Sequence, residues 1–328
     1  MNTSPLVTIL CLVYNHEQYL RQCLEGFVMQ KTNFKFEAIV HDDASTDNSA
    51  SIILEYAAKY PDIIKPIIET ENQYLKRDGS LGKIMDSHIH GKYVAYCEGD
   101  DYWIDSLKLQ KQVEYLEKNP EYVLSYTSYK TYYEDECKYY FYKYKPSLSH
   151  TFSPLDVLSQ KCGILTLTVV VNSAIAKKVR SCDEFLFSGA FLMGDTQLWY
   201  SLAKEGKLHY LPDYTAVYRK HNDSATRGTN PKSFYRFSLS SYEMRRYLCE
   251  RDDLPSDYQK NIMVEYDKRL YDYLCFDRGY KTMFPLSSKD NVKIRKCLNA
   301  VGLWKLWLVL LVRWRPFLGY VKRVILKK

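Results

Sequence analysis

Residues 92–103 read Lys-Tyr-Val-Ala-Tyr-Cys-Glu-Gly-Asp-Asp-Tyr-Trp, a short apolar run that ends in an acidic loop, Glu98–Asp101. The apolar run predicts a buried strand, and this strand delivers the adjacent carboxylates of Asp100 and Asp101 to the sheet edge where open α/β folds bind ligands. Adjacent carboxylates repel each other unless a cation or hydrogen-bond donors compensate them. Hard cations such as Mg²⁺ and Mn²⁺ prefer carboxylate oxygens and usually arrive with substrate phosphates. Two interpretations follow, a nucleotide diphosphate site or a solvated acidic turn that caps the next helix.

Strand-like and helix-like segments alternate along the first 130 residues. Apolar, β-branched runs predict strands, and amphipathic runs that end near proline or asparagine predict helices. The predicted strands are 7–13, 36–40, 63–69 and 92–97, and the predicted helices are 17–30, 47–60 and 105–118. This alternation predicts an α/β fold with a largely parallel sheet and right-handed crossovers.

The second half of the chain has a different composition. Residues 122–144 are dense in tyrosine and predict strand and loop. The other predicted elements are a short helix from 153, a β-branched run over 163–171, a helix over 196–204, a strand over 207–218 and charged helices over 232–300. Because no low-complexity linker separates these segments, we predict no second independent catalytic domain.

Composition and charge narrow the class of protein. The chain has 328 residues, of which 46% are hydrophobic and 26% charged, as in a globular protein. The net charge of +7 equals the seven basic residues of segment 301–328, which contains no acid, so residues 1–300 are balanced at 39 basic and 39 acidic residues. This balance predicts no nucleic-acid-binding face. Nine scattered cysteines without a Cys-x-x-Cys spacing, and a first strand reached without a secretory signal pattern, predict reduced thiols and a cytoplasmic catalytic part.

Three loops of ligand-binding type follow predicted strands at the same sheet edge. Val13–Asn15 follows the first strand and His41–Asp47 follows the second, beside Glu98–Asp101. A carboxylate there can accept the N3 hydrogen of uracil, and a tyrosine ring can stack on the base. Taken alone, Asp42 and Asp43 also suit an ordinary helix-capping turn. Three such loops in register make capping a weaker explanation.

In this order and spacing, the three segments resemble the nucleotide-sugar half of family 2 glycosyltransferases, inverting enzymes with the GT-A fold that serve bacterial polysaccharide and cell-surface glycan synthesis. The resemblance implies a Rossmann-like, mostly parallel mixed sheet flanked by helices. It implies that Tyr14 and Asp43 contact the base of the donor. It gives Asp100 the ribose and Asp101 the metal. Glu98 stands where many members carry an aspartate, which puts its part in the metal site in doubt.

The second half adds two matches, so that the resemblance covers about residues 5–225. Asp195, at the start of a predicted helix, is similar to the catalytic base of the family, although an aspartate before a helix is also a common N-cap. The segment Tyr218–Ser224 resembles the Tyr-Arg-x-His segment that closes over the diphosphate. There Arg219 offers a fork of donors for the donor phosphates, and His221 binds the metal or a phosphate oxygen. The structural alternative for this segment is a solvated basic loop.

The resemblance implies a function and a domain organisation. Residues 1–230 form the GT-A domain, with the nucleotide-sugar half at about 1–125 and the acceptor half at 126–230, and residues 231–300 form a helical extension. The enzyme moves a sugar from a nucleotide diphosphate sugar, most simply a UDP-sugar, to a hydroxyl of a glycan or lipid-linked acceptor. Asp195 is the general base, and Mn²⁺ or Mg²⁺ stabilises the leaving diphosphate.

Other classes are weighed against this function. The alternative is a catalytically inactive sugar-nucleotide-binding module of a polysaccharide assembly complex. A dehydrogenase and a P-loop hydrolase are disfavoured, since neither Gly-x-Gly-x-x-Gly after the first strand nor Gly-x-x-x-x-Gly-Lys-Ser occurs. A nucleotidyltransferase is disfavoured because its glycine-rich first loop is missing.

The last 28 residues, 301–328, read as a basic amphipathic tail. The apolar run Leu306–Val312 is far shorter than the ~20 residues that span a bilayer. A helical projection separates a tryptophan- and leucine-rich face from Lys and Arg, with Pro316 as a kink or break. This composition favours a helix lying on an anionic membrane surface over one packed on the protein's own core. We therefore predict a peripheral protein of the inner face of the plasma membrane.

Overall fold

The computed structural model describes residues 4–141, 152–221 and 231–277. Residue contacts divide the chain into two compact units, Met1–Leu270 and Tyr271–Lys328. The predicted tail at 301–328 and the end of the predicted helical extension lie outside the described residues. Within the described residues, no helix is both long and apolar enough to cross a bilayer.

Nine strands and nine α-helices are assigned within the described residues. The strands are β1 Val7–Val13, β2 Phe36–Asp42, β3 Ile64–Ile68, β4 Tyr93–Tyr96, β5 Tyr102–Trp103, β6 Tyr122–Tyr133, β7 Lys138–Phe141, β8 Val170–Asn172 and β9 Lys207–Lys220. The helices are α1 Glu17–Val28, α2 Ser49–Lys59, α3 Ser80–Ser87, α4 Lys108–Lys118, α5 Pro154–Leu158, α6 Ser173–Cys182, α7 Asp195–Glu205, α8 Pro231–Asp252 and α9 Ser256–Asp277.

The strands form one mixed sheet. Its order is β3-β2-β1-β4-β8-β6-β9-β5, with β7 paired to β6. β1 pairs in parallel with β2 and β4, and β2 with β3, so the carboxyl ends of these strands meet at one edge. The second half mixes a parallel β6–β9 pair with antiparallel contacts of β8 and β5. The predicted α/β fold with a mixed sheet is confirmed.

The alternation of side chains along β1 explains the two hydrophobic layers. Val7, Ile9 and Cys11 point to one face, where they pack with α1, α2 and α4. Leu10 points to the opposite face, whose cluster includes residues of α6, α7 and α8. Because both faces of the sheet are covered by helices, β1 reads as a continuous apolar run rather than as an alternating one.

The β-branched run at 163–171 is only partly a strand in the structure. Only its end enters the sheet, as β8, and residues Thr166–Thr168 form a 3₁₀ turn. Side chains from other elements bind the carbonyl oxygens of this turn: Trp103 Nε1 donates to Leu167 O at 2.9 Å, and Gln112 Nε2 donates to Thr168 O at 3.0 Å. Long-range hydrogen bonds therefore override the β propensity of the segment.

β9 connects the second half of the chain to the first through strand pairing. It pairs in parallel with β6 and antiparallel with β5, the short strand that directly follows the acidic loop Glu98–Asp101. The carboxyl end of β9 therefore lies beside that loop and brings Arg219 and His221 to it.

Candidate active site

The first two edge loops hold each other through side-chain hydrogen bonds. Asn15, with a left-handed backbone (φ 56°), accepts from Thr46 N at 2.7 Å, and its own N–H donates to Ser45 Oγ at 2.9 Å. Asp47 accepts from Glu17 N at 2.9 Å and so ties the second loop to the start of α1. Beside them Tyr14, predicted to stack on the base, is 45% exposed. These bonds make the two loops one surface with Tyr14 open to solvent.

Asp43, the other residue predicted to contact the base, is buried and already accepts two backbone hydrogen bonds. Its Oδ1 accepts from Gln73 N at 2.6 Å and its Oδ2 from Tyr74 N at 3.1 Å. The carboxylate thereby fixes the 3₁₀ turn Tyr74–Lys76. Since two carboxylate oxygens offer about four lone-pair sites, Asp43 retains capacity for a further donor.

The acidic loop is held from both sides. On the β1 side, Gly99 N donates to Leu12 O at 2.9 Å. On the β9 side, His221 Nε2 lies 3.0 Å from Asp100 Oδ2, and Asp101 Oδ1 accepts from Arg219 N at 2.8 Å. The two aspartates therefore differ: Asp100 pairs with a side chain, whereas Asp101 is buried and holds the backbone of β9.

The three acids of the loop differ in the direction of their pKa shifts. Burial, and then the charge of Asp100, raise the pKa of Glu98 to about 8. Burial and the charges of Asp100 and Glu98 raise the pKa of Asp101 well above its usual range. Burial also acts to raise the pKa of Asp100, but the hydrogen bond from His221 and the nearby His16 outweigh burial and lower it. Asp100 is thus the acid most firmly kept as a carboxylate.

These observations test whether the loop suits a divalent cation. Three acids within four residues, two of them with raised pKa values, form a set that a cation would stabilise. Among the described residues, no three His, Cys, Asp or Glu side chains already stand as a metal-binding group. Of the predicted ligands, His221 faces Asp100, while Asp101 is engaged with Arg219 N. The donor set fits a divalent cation, and Asp100, which faces His221, is better placed for it than Asp101, whose Oδ1 accepts from Arg219 N.

Arg219, predicted to bind the donor phosphates, is also engaged. Its side chain is buried, and its Nε donates to Asp100 O at 2.9 Å. Nη1 is bound by Glu134, and Nη2 donates to Gln22 Oε1 at 2.5 Å. The structure therefore brings Arg219 to the acidic loop but leaves it no unused guanidinium nitrogen.

Asp195, the predicted base, is the first residue of α7. The N-cap position belongs to Gly194, and Asp195 Oδ1 accepts from Thr196 N at 2.6 Å. The charge of Asp195 contributes to the raised pKa of Glu98, which places the two carboxyl groups in one electrostatic neighbourhood. The fold thus places the predicted base within electrostatic reach of the acidic loop.

The loop before Asp195 is anchored from two directions. Tyr74 Oη donates to Leu192 O at 3.3 Å, and Leu192 N donates to Ser240 Oγ at 3.0 Å. The first contact comes from the turn that Asp43 holds, and the second comes from α8. Residues of the predicted donor half and of the helical region therefore both support the loop that leads to Asp195.

His16 belongs to the site but was missed by the sequence reasoning. Its Nδ1 is buried and has no hydrogen-bond partner among the described residues. Burial lowers the pKa of His16, and the charge of the nearby Asp100 acts to raise it. The available signal was its position directly after Tyr14-Asn15, because a residue there stands at the ligand-binding edge of the sheet.

Comparison with known proteins gives a family match over just under half of the chain. Residues 8–169 match the family described as "Glycosyl transferase family 2". The uncharacterized protein Rv1520 of Mycobacterium tuberculosis is 36% identical over 218 residues, which are 66% of this chain and 59% of the relative. The chain therefore spans less than two thirds of that relative. The matched segment contains the acidic loop and ends before Asp195, Arg219 and His221.

Two solved structures share the fold. The mannosyltransferase PcManGT from Pyrobaculum calidifontis, solved with GDP-Man and Mn²⁺, is 16% identical with a TM-score of 0.53, over 98% of this chain and 84% of that one. The TarS fragment 1–349 of S. aureus, solved with UDP-GlcNAc, is 16% identical with a TM-score of 0.51, over 81% of this chain and 73% of that one. At this identity the likeness extends to the fold alone.

Gly99 supplies a test of how tightly the acidic loop is packed. A Cβ at Gly99 would lie 2.9 Å from both His16 Nδ1 and Val13 Cγ2, whereas one at Gly82, in α3, would meet nothing within 4 Å. We expect Gly99→Ala to lower the free energy of unfolding by about 1–3 kcal/mol. Gly82→Ala should leave it equal or raise it by up to ~1 kcal/mol. Urea unfolding measures both, and equal stability of the two variants would contradict the close packing.

Proposed function

The chain belongs to glycosyl transferase family 2, and we propose that it is an active enzyme that transfers a sugar from a nucleotide diphosphate sugar to an acceptor hydroxyl. One arrangement supports this proposal: the Asp100–His221 pair lies in the acidic loop, and the charge of Asp195 acts on Glu98 of the same loop. The first pair can hold a divalent cation that neutralises the diphosphate, and the carboxylate of Asp195 can remove a proton. We propose a UDP-sugar as donor, with Tyr14 and Asp43 at the base.

Asp195 performs the proton transfer in this proposal. Its carboxylate accepts the proton of the acceptor hydroxyl, and that oxygen forms a bond to the anomeric carbon. The bond from this carbon to the diphosphate oxygen breaks, and its electron pair leaves with the nucleoside diphosphate. Attack from the opposite face inverts the configuration. A single base suffices, because the leaving group needs charge neutralisation rather than protonation.

Asp100 and His221 would hold the divalent cation, Mn²⁺ or Mg²⁺, in this proposal. A bound cation supplies charge neutralisation at the leaving diphosphate. Asp101 takes a different part: its buried carboxylate binds Arg219 N and keeps β9 against the loop. This assignment gives Asp100 the metal that the resemblance implies for Asp101, and it gives Asp101 a structural part.

The general base is tested by Asp195→Asn. General-base assistance contributes about 10²- to 10⁴-fold, so we expect turnover to fall by that factor while the donor dissociation constant stays within about two-fold. Release of nucleoside diphosphate from a panel of UDP-sugars and GDP-mannose with Mn²⁺ gives the rate, and calorimetry gives the binding. Asp257→Asn, in the exposed first turn of α9, is the matched control. Undiminished turnover in Asp195→Asn would disprove the assignment, and donor binding without release by the native chain would favour the inactive binding module.

The variants Asp100→Asn and Asp101→Asn distinguish the proposed roles of the two aspartates. We expect Asp100→Asn to lose the strengthening of UDP binding by Mn²⁺, by about ten-fold or more. Asp101→Asn should keep most of it, because an amide oxygen can still accept from Arg219 N. Calorimetric titration of UDP with Mn²⁺ and with EDTA measures the ratio. The reverse pattern would restore Asp101 as the metal ligand.

We also propose that residues 301–328 bind an anionic membrane surface on the cytoplasmic side and bring the site to a glycan or lipid-linked acceptor. Each basic residue near such a surface contributes ~1 kcal/mol. In the full chain, changing Lys305, Arg313, Lys322 and Arg323 to Gln should therefore weaken binding to vesicles of phosphatidylserine and phosphatidylcholine by more than about 100-fold. Cosedimentation measures this, with pure phosphatidylcholine vesicles as the reference. Unchanged binding would exclude the tail as the membrane contact.

A further inference from the structure

Arg219 has an environment unlike that of a phosphate-binding arginine. The residue is 6% exposed, and all three guanidinium nitrogens have protein partners. Nε binds the backbone oxygen of Asp100, Nη1 binds Glu134 and Nη2 binds Gln22. These partners belong to the acidic loop, to the residue after β6 and to α1. One side chain therefore joins three parts of the fold that are far apart in sequence.

Aromatic rings enclose the same guanidinium. Its carbon Cζ lies 4.8 Å from the ring centroid of Tyr19, 5.1 Å from that of Tyr102 and 5.7 Å from that of Tyr132. Such rings attract a cation through their faces and exclude water from it. The three rings come from α1, β5 and β6. They therefore connect Arg219 to the same parts of the fold as its hydrogen bonds do.

The backbone of Arg219 completes the connection. Its N–H donates to Asp101, and two residues later His221 contacts Asp100. Asp100 is thus held at its backbone oxygen by Arg219 and at its carboxylate by His221. A shift of the Arg219 side chain would change the direction in which the Asp100 carboxylate points.

We propose that Arg219 is a positioning residue for Asp100 rather than a ligand of the donor phosphates. It acts through the loop: the Glu134–Arg219–Gln22 contacts fix the backbone at Asp100, and this fixes the carboxylate that faces His221. Glu134 is then part of the same device, although it lies outside the predicted site. The inference rests on the proposed function in one respect, that a nucleoside diphosphate and a divalent cation bind at this loop.

Binding of uridine and UDP, each with EDTA and with Mn²⁺, separates the two roles in the full-length chain. A positioning residue should leave the UDP-to-uridine affinity ratio in EDTA unchanged, within about two-fold, while the strengthening of UDP binding by Mn²⁺ falls about ten-fold. A phosphate ligand should lower the ratio in EDTA itself, because a charged hydrogen bond to phosphate is lost. The variants are Arg219→Gln and Arg219→Lys, and calorimetry is the measurement.

Glu134→Gln gives the sharper result, because it leaves Arg219 in place. Glutamine can still accept from Nη1, so the fold is expected to persist while the ionic part of the contact is lost. Positioning predicts a reduced Mn²⁺ effect here too. A phosphate ligand released from Glu134 would bind UDP equally well or more tightly in EDTA. Arg21→Gln, which removes an exposed ion pair with Glu55 on α1, is the control and should change neither quantity.

The outcomes distinguish this inference from the proposed function. If UDP binds and Mn²⁺ strengthens it equally in native protein and Glu134→Gln, the positioning role is wrong and the proposed function stands. A UDP-to-uridine ratio that falls in EDTA for Arg219→Lys identifies Arg219 as a phosphate ligand and overturns the inference. If neither UDP nor GDP binds the native chain, or if Mn²⁺ has no effect on it, the shared premise fails.

Discussion

Repulsion among the acids of Glu98–Asp101 is the constraint around which the site is arranged. The loop follows β4 directly, so the sheet holds these carboxyl groups close together and partly away from water. Burial and mutual charge raise the pKa values of Glu98 and Asp101, while His221 and His16 keep that of Asp100 low. Buried carboxylates of this kind are stable only where hydrogen-bond donors or a cation compensate their charge, since an uncompensated buried charge has a large cost in free energy.

The compensation comes from the other end of the domain. Arg219 and His221 stand at the end of β9, more than 100 residues after the loop, and they reach it because β9 pairs with β5. The acidic loop therefore has these partners only where β9 is paired with β5. Pairing of β5 with β9 thus links formation of the fold to formation of the site.

The sequence predicted what depends on local pattern. The α/β fold and the membership of family 2 are confirmed, because the strands β1, β2 and β4 are short apolar runs followed by polar loops. Most of the β-branched run at 163–171 is not strand, since Trp103 and Gln112 bind the carbonyl oxygens of its central part. Partners of Arg219 such as Gln22 and Glu134 could not be predicted, because they depend on how distant elements pack. His16 could have been found from its place after Tyr14-Asn15.

Asp43 shows why the same residues can satisfy both a structural and a functional reading. It accepts backbone hydrogen bonds at the start of the turn Tyr74–Lys76 and is therefore a capping residue. The turn that it caps, however, is remote in sequence from the loop that contains Asp43. That turn contacts the carbonyl of Leu192, three residues before Asp195. A group bound at Asp43 would therefore act on a segment already connected to Asp195, the proposed base. Capping of the turn does not exclude the proposed contact with a nucleotide base, because the two oxygens of the carboxylate hold the turn and still offer free lone pairs.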